Sequence, residues 1–224
     1  MELLMYKELQ LHGHNLLLDD VIQAGFTAIE SDFDCISVPT FFLSKLKTEL
    51  TDSILVSALI DFPYGMSNAS VRQHSSLDAL HKGANAIDLA INTHWVLNAK
   101  PDLITEDIQA HQKMCEDHDA TFKISIDYRR LRLLELRWVF ALLCDLNIEY
   151  ASIATGHFMD NFADQLAVLH LLQDSYKNID FIMNGTVNNQ GHLDKLAFSK
   201  IFGVKLHSAH AIRILFPAKI ASCH

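Results

Sequence analysis

Two charged residues set inside apolar, strand-like runs carry the chemistry this sequence offers: Asp88 in GANAIDLAIN (83–92) and Lys123 in FKISID (122–127). An ionised carboxylate with no partner in an apolar interior costs several kcal/mol or shifts its pKa upward, so Asp88 requires a polar or cationic neighbour. Such a carboxylate can serve as a general acid or base, and a lysine amine can serve as a nucleophile once it is deprotonated. Strand alternation puts Lys123, Ser125 and Asp127 on one face and Phe122, Ile124 and Ile126 on the other. Lys123 is the lysine whose parity points it toward Asp88. The carboxylates of Asp88 and Asp127 favour its ammonium form, the opposite of what a nucleophile needs. The expected arrangement is therefore a structural ion pair in which Lys123 neutralises Asp88.

The elements that position these residues alternate along the whole chain. Strand-like runs fall at 9–15, 34–39, 54–63, 86–92, 121–128, 150–156, 179–185 and 205–209. Amphipathic runs between them cover 16–24, 40–50, 71–81, 104–117, 133–146, 160–176 and 194–202. Eight such units predict an α/β fold, a (β/α)8 TIM barrel, with its site at the carboxyl ends of the strands. A doubly wound open sheet is the competing architecture, but no G-x-G-x-x-G follows the first strand. Parity turns Asp88 and Asn92, then Ser152, then Ile182 and Asn184 inward, so the barrel centre is polar and suits a small-molecule ligand. Lys200 and Lys205 fall outside this pattern and read as surface residues or a contact at the barrel bottom.

With 224 residues, half of them apolar, the chain can form one sizeable core, and a single domain over 1–224 is expected. The formal charge of −9 and the lack of a long basic run argue against nucleic acid as a partner. Arg129, Arg130, Arg132 and Arg137 alternate with leucines and read as a solvated helix face. No run of eighteen uncharged apolar residues occurs, so a soluble, cytoplasmic protein without a membrane partner is expected. Cys35, Cys115, Cys144 and Cys223 form no C-x-x-C pair and read as free thiols. Thirteen histidines include His12-Gly13-His14 but no compact ligand motif, and the reading calls for no metal and no cofactor.

Several segments together carry a family resemblance. FPYGMSNASV (62–71) resembles an F-P-x-G loop followed by a helix, and GANAIDLAIN resembles a G-A-x-E-I-D-x-V-I-N strand. FKISID resembles K-V-I-I-E, Ala154-Thr155-Gly156 resembles the end of K-T-S-T-G, and IMNGTVNN (182–189) sits where K-x-S-G-G-I-R-T is expected. In order and spacing the chain resembles the deoxyribose-phosphate aldolases, lysine-dependent class I aldolases. The resemblance implies a (β/α)8 barrel that cleaves 2-deoxyribose 5-phosphate to acetaldehyde and glyceraldehyde 3-phosphate. It also implies a Schiff-base lysine on the sixth strand, a second lysine on the seventh that lowers its pKa, and an aspartate on the fourth that shuttles protons.

Carried over residue by residue, the aspartate is Asp88, but the two lysines fall on Ser152 and Ile182. A slip of one position finds no lysine either, since Ala151, Ile153, Phe181 and Met183 flank those sites. The family's glycine pair becomes Gly185-Thr186, its arginine becomes Asn188, and its small phosphate-binding segment falls on His207–Ala211. The early aspartate becomes Gly13, with His14 retained. Serine cannot form an iminium, so the family's mechanism does not run through Ser152. The expected protein is an aldolase-like barrel without its Schiff-base machinery, binding a small carbonyl or phosphosugar. The alternative is an aldolase with a relocated lysine, Lys123. Candidate catalytic residues are Asp88 and Lys123. Candidate substrate contacts are Asn92, Asp127, Ser152, Thr155, Gly156, Asn184, Gly185 and Ser208, the last read with Gly185 and Thr186 as an anion cradle. Homodimerisation is carried over from the family as an expectation.

Overall fold

The structure, a computed structural model, describes residues 5–13 and 15–216; His14 and Cys223 lie outside the described residues. Eight parallel strands close into a barrel in chain order. They are β1 (Tyr6–Gln10), β2 (Cys35–Pro39), β3 (Leu55–Ile60), β4 (Ala86–Ala90), β5 (Thr121–Ser125), β6 (Tyr150–Ser152), β7 (Asp180–Asn184) and β8 (Gly203–Leu206). The (β/α)8 architecture read from the alternating pattern is the one observed.

The helices are α1 (Leu18–Glu30), α2 (Leu43–Leu50), α3 (Ala69–His81), α4 (Thr93–Leu97), α5 (Pro101–Asp117), α6 (Leu133–Asp145), α7 (Phe162–Ser175), α8 (Gln190–Ala197) and α9 (Ala209–Leu215). Each longer helix turns an apolar stripe to the sheet, as α5 does with Ile104, Ile108 and Cys115. Opposite these stripes lie the outward-facing strand residues, among them Leu9, Ile36, Val56, Ile87, Ile124, Ala151, Phe181 and Val204, all buried. The apolar core is thus a ring between sheet and helices, and the inside of the barrel is left to the other parity. No helix of the described residues is long and apolar enough to cross a membrane.

Several boundaries differ from the sequence reading. The first strand runs over 6–10 and not 9–15, because Tyr6, Glu8 and Gln10 point into a polar interior where charged residues are at home. The last strand starts at Gly203, two residues before the expected 205, and α8 starts at Gln190, capped by Asn189, four residues before the expected 194. The short helices α4 and α9 were not foreseen. Of the arginine cluster only Arg137 lies in α6. Asp127 accepts from the Arg129 N–H and starts a tight turn over Tyr128–Arg130, which ends the supposed helix face before it begins.

Candidate functional site

Barrel closure brings β8 beside β1 with Lys205 opposite Glu8, while β5 lies beside β4 with Lys123 opposite Asp88. The ion pairs nonetheless run across the barrel. Lys123 Nζ donates to Glu8 Oε2 at 2.8 Å and to the Tyr6 hydroxyl at 3.3 Å. Lys205 Nζ donates to Asp88 Oδ2 and lies 3.7 Å from Glu8 Oε1. Two readings are corrected here. Lys123 is held by Glu8 and not by Asp88, and Lys205 is a wholly buried interior residue, not a surface one. Hydroxyls complete the network: Ser125 Oγ donates to Asp88 Oδ1 at 2.7 Å, Tyr6 Oη to Glu8 Oε2 at 2.8 Å, and Ser37 Oγ to Glu8 Oε1.

Two carboxylates and two lysines thus occupy the middle of the barrel, each charge compensated. Burial alone would raise the Glu8 carboxyl, but the Lys123 and Lys205 ammonium groups outweigh it and hold it at about 2. Burial works against the Lys123 ammonium, yet Cys35, Glu8 and Asp88 together push it well above the usual lysine range. Burial pushes the neighbouring Cys35 thiol up to about 11. Ser152 Oγ, buried at the same depth and beside Ile182 in register, has no hydrogen-bond partner among the described residues.

Toward the carboxyl ends of the strands a second polar layer covers this one. Gln10 Nε2 donates to the Thr155 carbonyl at 2.8 Å, and Asn184 Nδ2 donates to Gln10 Oε1 at 3.1 Å and to the Ala154 carbonyl at 3.0 Å. His207 Nε2 pairs with Asn184 Oδ1 at 2.6 Å, and His12 packs edge-on against His207 with ring centroids 4.6 Å apart. Space for the His207 ring comes from two glycines. A Cβ on Gly156 would lie 2.0 Å from its Cε1 and one on Gly185 2.5 Å, and both glycines have positive φ (75° and 81°). His207 therefore sits over the barrel axis as a plug. Burial lowers it to about 3, and burial followed by His157 lowers His12 to about 4.

At the rim, Asn92 caps α4 through Trp95 N–H, and Asp127 pairs with Arg129 Nε at 3.2 Å. Asp127, Thr93, His94, Tyr64, Phe158 and Arg130 line a groove of about 190 Å³, and Arg130 lies over the Phe158 ring, 4.5 Å from its centroid. Of the expected contacts, Asp127 thus faces this groove, whereas Asp88, Ser152, Thr155 and Asn184 are buried beneath the plug. Of the hydroxyls read as an anion cradle, that of buried Thr186 donates to Gln165 Oε1 at 3.2 Å, while the exposed Ser208 Oγ accepts from Ala211 N–H at 3.0 Å as the cap of α9. The residues missed by sequence reasoning are Tyr6, Glu8 and Gln10, while Lys205 was read as a surface residue or barrel-bottom contact and His207 only as the start of the segment where the resemblance puts phosphate binding. Their signal was alternation, once β1 is started at Tyr6 and β8 at Gly203.

No family model matches the chain. Among curated proteins, the deoxyribose-phosphate aldolase of Microcystis aeruginosa is 28% identical over 104 residues, 46% of this chain and 45% of that one. The deoxyribose-phosphate aldolase of Mannheimia succiniciproducens is 25% identical over 142 residues, 63% of this chain and 62% of that one. The matched stretch therefore spans between about half and under two thirds of these relatives. A tetrameric deoxyribose phosphate aldolase from Aeropyrum pernix superposes with a TM-score of 0.79 at 15% identity, covering 93% of this chain and 87% of that one. The chain resembles the deoxyribose-phosphate aldolases. With the solved structure it shares the fold. In this aldolase-like barrel the described interior lysines, Lys123 and Lys205, each sit against a carboxylate, and the layer of Gln10, Asn184 and His207 separates them from the mouth.

Proposed function

We propose that this protein is a deoxyribose-phosphate-aldolase-like barrel that has given up Schiff-base catalysis and binds a small carbonyl or phosphosugar-type ligand at its mouth. One observation carries the reading. Ser152 and Ile182, neighbours in register, stand where the resemblance puts the two lysines, while both interior lysines are tied into a compensated charge network under the His207 plug. A nucleophilic amine has to be deprotonated and reachable. Glu8 opposes the first condition for Lys123, and the layer of Gln10, Asn184 and His207 bars both lysines from the mouth. The ligand site in this reading is the rim groove, where Arg130 offers a cation, Tyr64 and Phe158 offer ring faces, and Thr93 and Asp127 offer hydrogen bonds.

The competing reading is an active aldolase with a relocated lysine. It is favoured by the contact of Lys205 with Asp88, the residue to which the resemblance gives proton shuttling. The chain would then act as a lyase once the plug opens. In either case the proposal places a single domain in the cytoplasm, working on a small molecule as a monomer or homodimer, without nucleic acid or membrane. Among the described residues Cys35, Cys115 and Cys144 form no disulfide, which supports a reducing compartment.

Incubation with acetaldehyde and borohydride, followed by peptide mass spectrometry, separates the two. Scattered surface labelling together with no cleavage of 2-deoxyribose 5-phosphate is the expected result. An ethyl adduct confined to Lys123 or Lys205, with cleavage activity lost in Lys123→Ala or Lys205→Ala, overturns it.

A further inference from the structure

At the opposite, amino-terminal end of the barrel lies a second cavity, of about 160 Å³. One wall is aromatic: Tyr6 stacks on Phe202 with centroids 5.4 Å apart, and Tyr150 packs against Phe202 at 5.3 Å. Gly203 makes this wall possible, since a Cβ there would lie 2.6 Å from the Tyr6 carbonyl oxygen. Leu55, Ala86 and Ile182 supply the rest of the apolar lining, and at the inner end stand Lys123 and Cys35.

The inner end has a weakly engaged donor. An ammonium carries three N–H groups. Lys123 gives one to Glu8 Oε2 at 2.8 Å and one to the Tyr6 hydroxyl at 3.3 Å; its third contact among the described residues is a long one, to the Cys35 sulfur at 4.0 Å. A thiol held neutral is a weak acceptor. The charge of Lys123 is already balanced by Glu8, so an anionic ligand would be desolvated with no net attraction, and a cation would be repelled. A neutral oxygen acceptor satisfies the donor at no such cost. Size narrows the class further, because an apolar cavity of about 150 Å³ accommodates benzene.

We propose that this cavity is a binding site for a neutral monocyclic molecule bearing one carbonyl or hydroxyl oxygen, its ring held by Tyr6, Tyr150 and Phe202 and its oxygen by Lys123 Nζ. The site is independent of the mouth and of any aldol chemistry, and it gives the Lys123–Glu8 pair a ligand-facing role.

Fluorine NMR of the full chain with 4-fluorobenzyl alcohol and 4-fluorotoluene tests this. The expected result is saturable binding of the alcohol, on the order of tenfold tighter than the toluene, the worth of one hydrogen bond to a charged donor. Ala86→Leu, and separately Ile182→Phe, fill the cavity and abolish binding of both probes, with circular dichroism reporting the fold. The paired variant Glu8→Gln/Lys123→Met, which removes both charges together, keeps binding but brings the two affinities level. Absence of saturable binding, equal affinities in the natural sequence, or binding that survives a cavity-filling variant in the folded state overturns the proposal.

Discussion

Replacing Lys205 by methionine tests the interior charge network most directly. Methionine keeps most of the alkyl stem, so packing changes little. The loss falls on Asp88, 2% exposed, which keeps only the 2.7 Å hydrogen bond from Ser125. Breaking a buried pair by removing one partner costs about 3–5 kcal/mol. Lys205→Met is therefore expected to lose about 3–5 kcal/mol at pH 7. Urea unfolding followed by fluorescence of Trp95 and Trp138 measures the loss against the natural sequence. Asp88→Asn/Lys205→Met, with no orphaned charge, should recover most of it. A penalty under about 1 kcal/mol, or one that the double variant does not relieve, refutes the claim that Lys205 compensates a buried Asp88.

Two further outcomes follow from the same reasoning. His12 and His207 are held neutral in the fold, near about 4 and about 3, against 6.5 for a free imidazole. The unfolded chain therefore binds more protons below pH 6.5, and stability is full above that value and declines as pH falls toward 4 and 3. Near pH 5 the pair contributes a slope of about 2–3 kcal/mol per pH unit, and His207→Gln should remove about half of it; an unchanged slope in that variant would contradict the buried neutral plug. Arg72, fully buried, binds Asp61 at 2.9 Å, Asp107 at 2.8 Å and the Gly65 carbonyl at 3.1 Å, so it ties the loop after β3 to α5. Arg72→Met should cost about 3–5 kcal/mol and speed native-state chymotryptic cleavage at Tyr64, which limited proteolysis would show.

The architecture was legible because its signals are local. Alternation in FKISID separates Ile124 and Ile126, which pack against helices, from Lys123, Ser125 and Asp127, which face inward, and a strand imposes that separation on any partner. Strand ends were less legible, since inward-pointing Glu8 and Lys205 look like the surface residues that usually flank a strand.

By itself the sequence determined the order of eight strand–helix units, the polar parity of the barrel interior, and the serine and isoleucine at positions 152 and 182. Only the tertiary structure decided which charge meets which. Lys123 and Glu8 are 115 positions apart, and Lys205 and Asp88 are 117 apart. Their pairing depends on β8 closing against β1 and on side chains long enough to cross the barrel. The plug is likewise a tertiary fact, because His207 finds its place only where Gly156 and Gly185, from two other strand ends, leave out a Cβ. Local propensity carries no information about such contacts; closure of the sheet creates them.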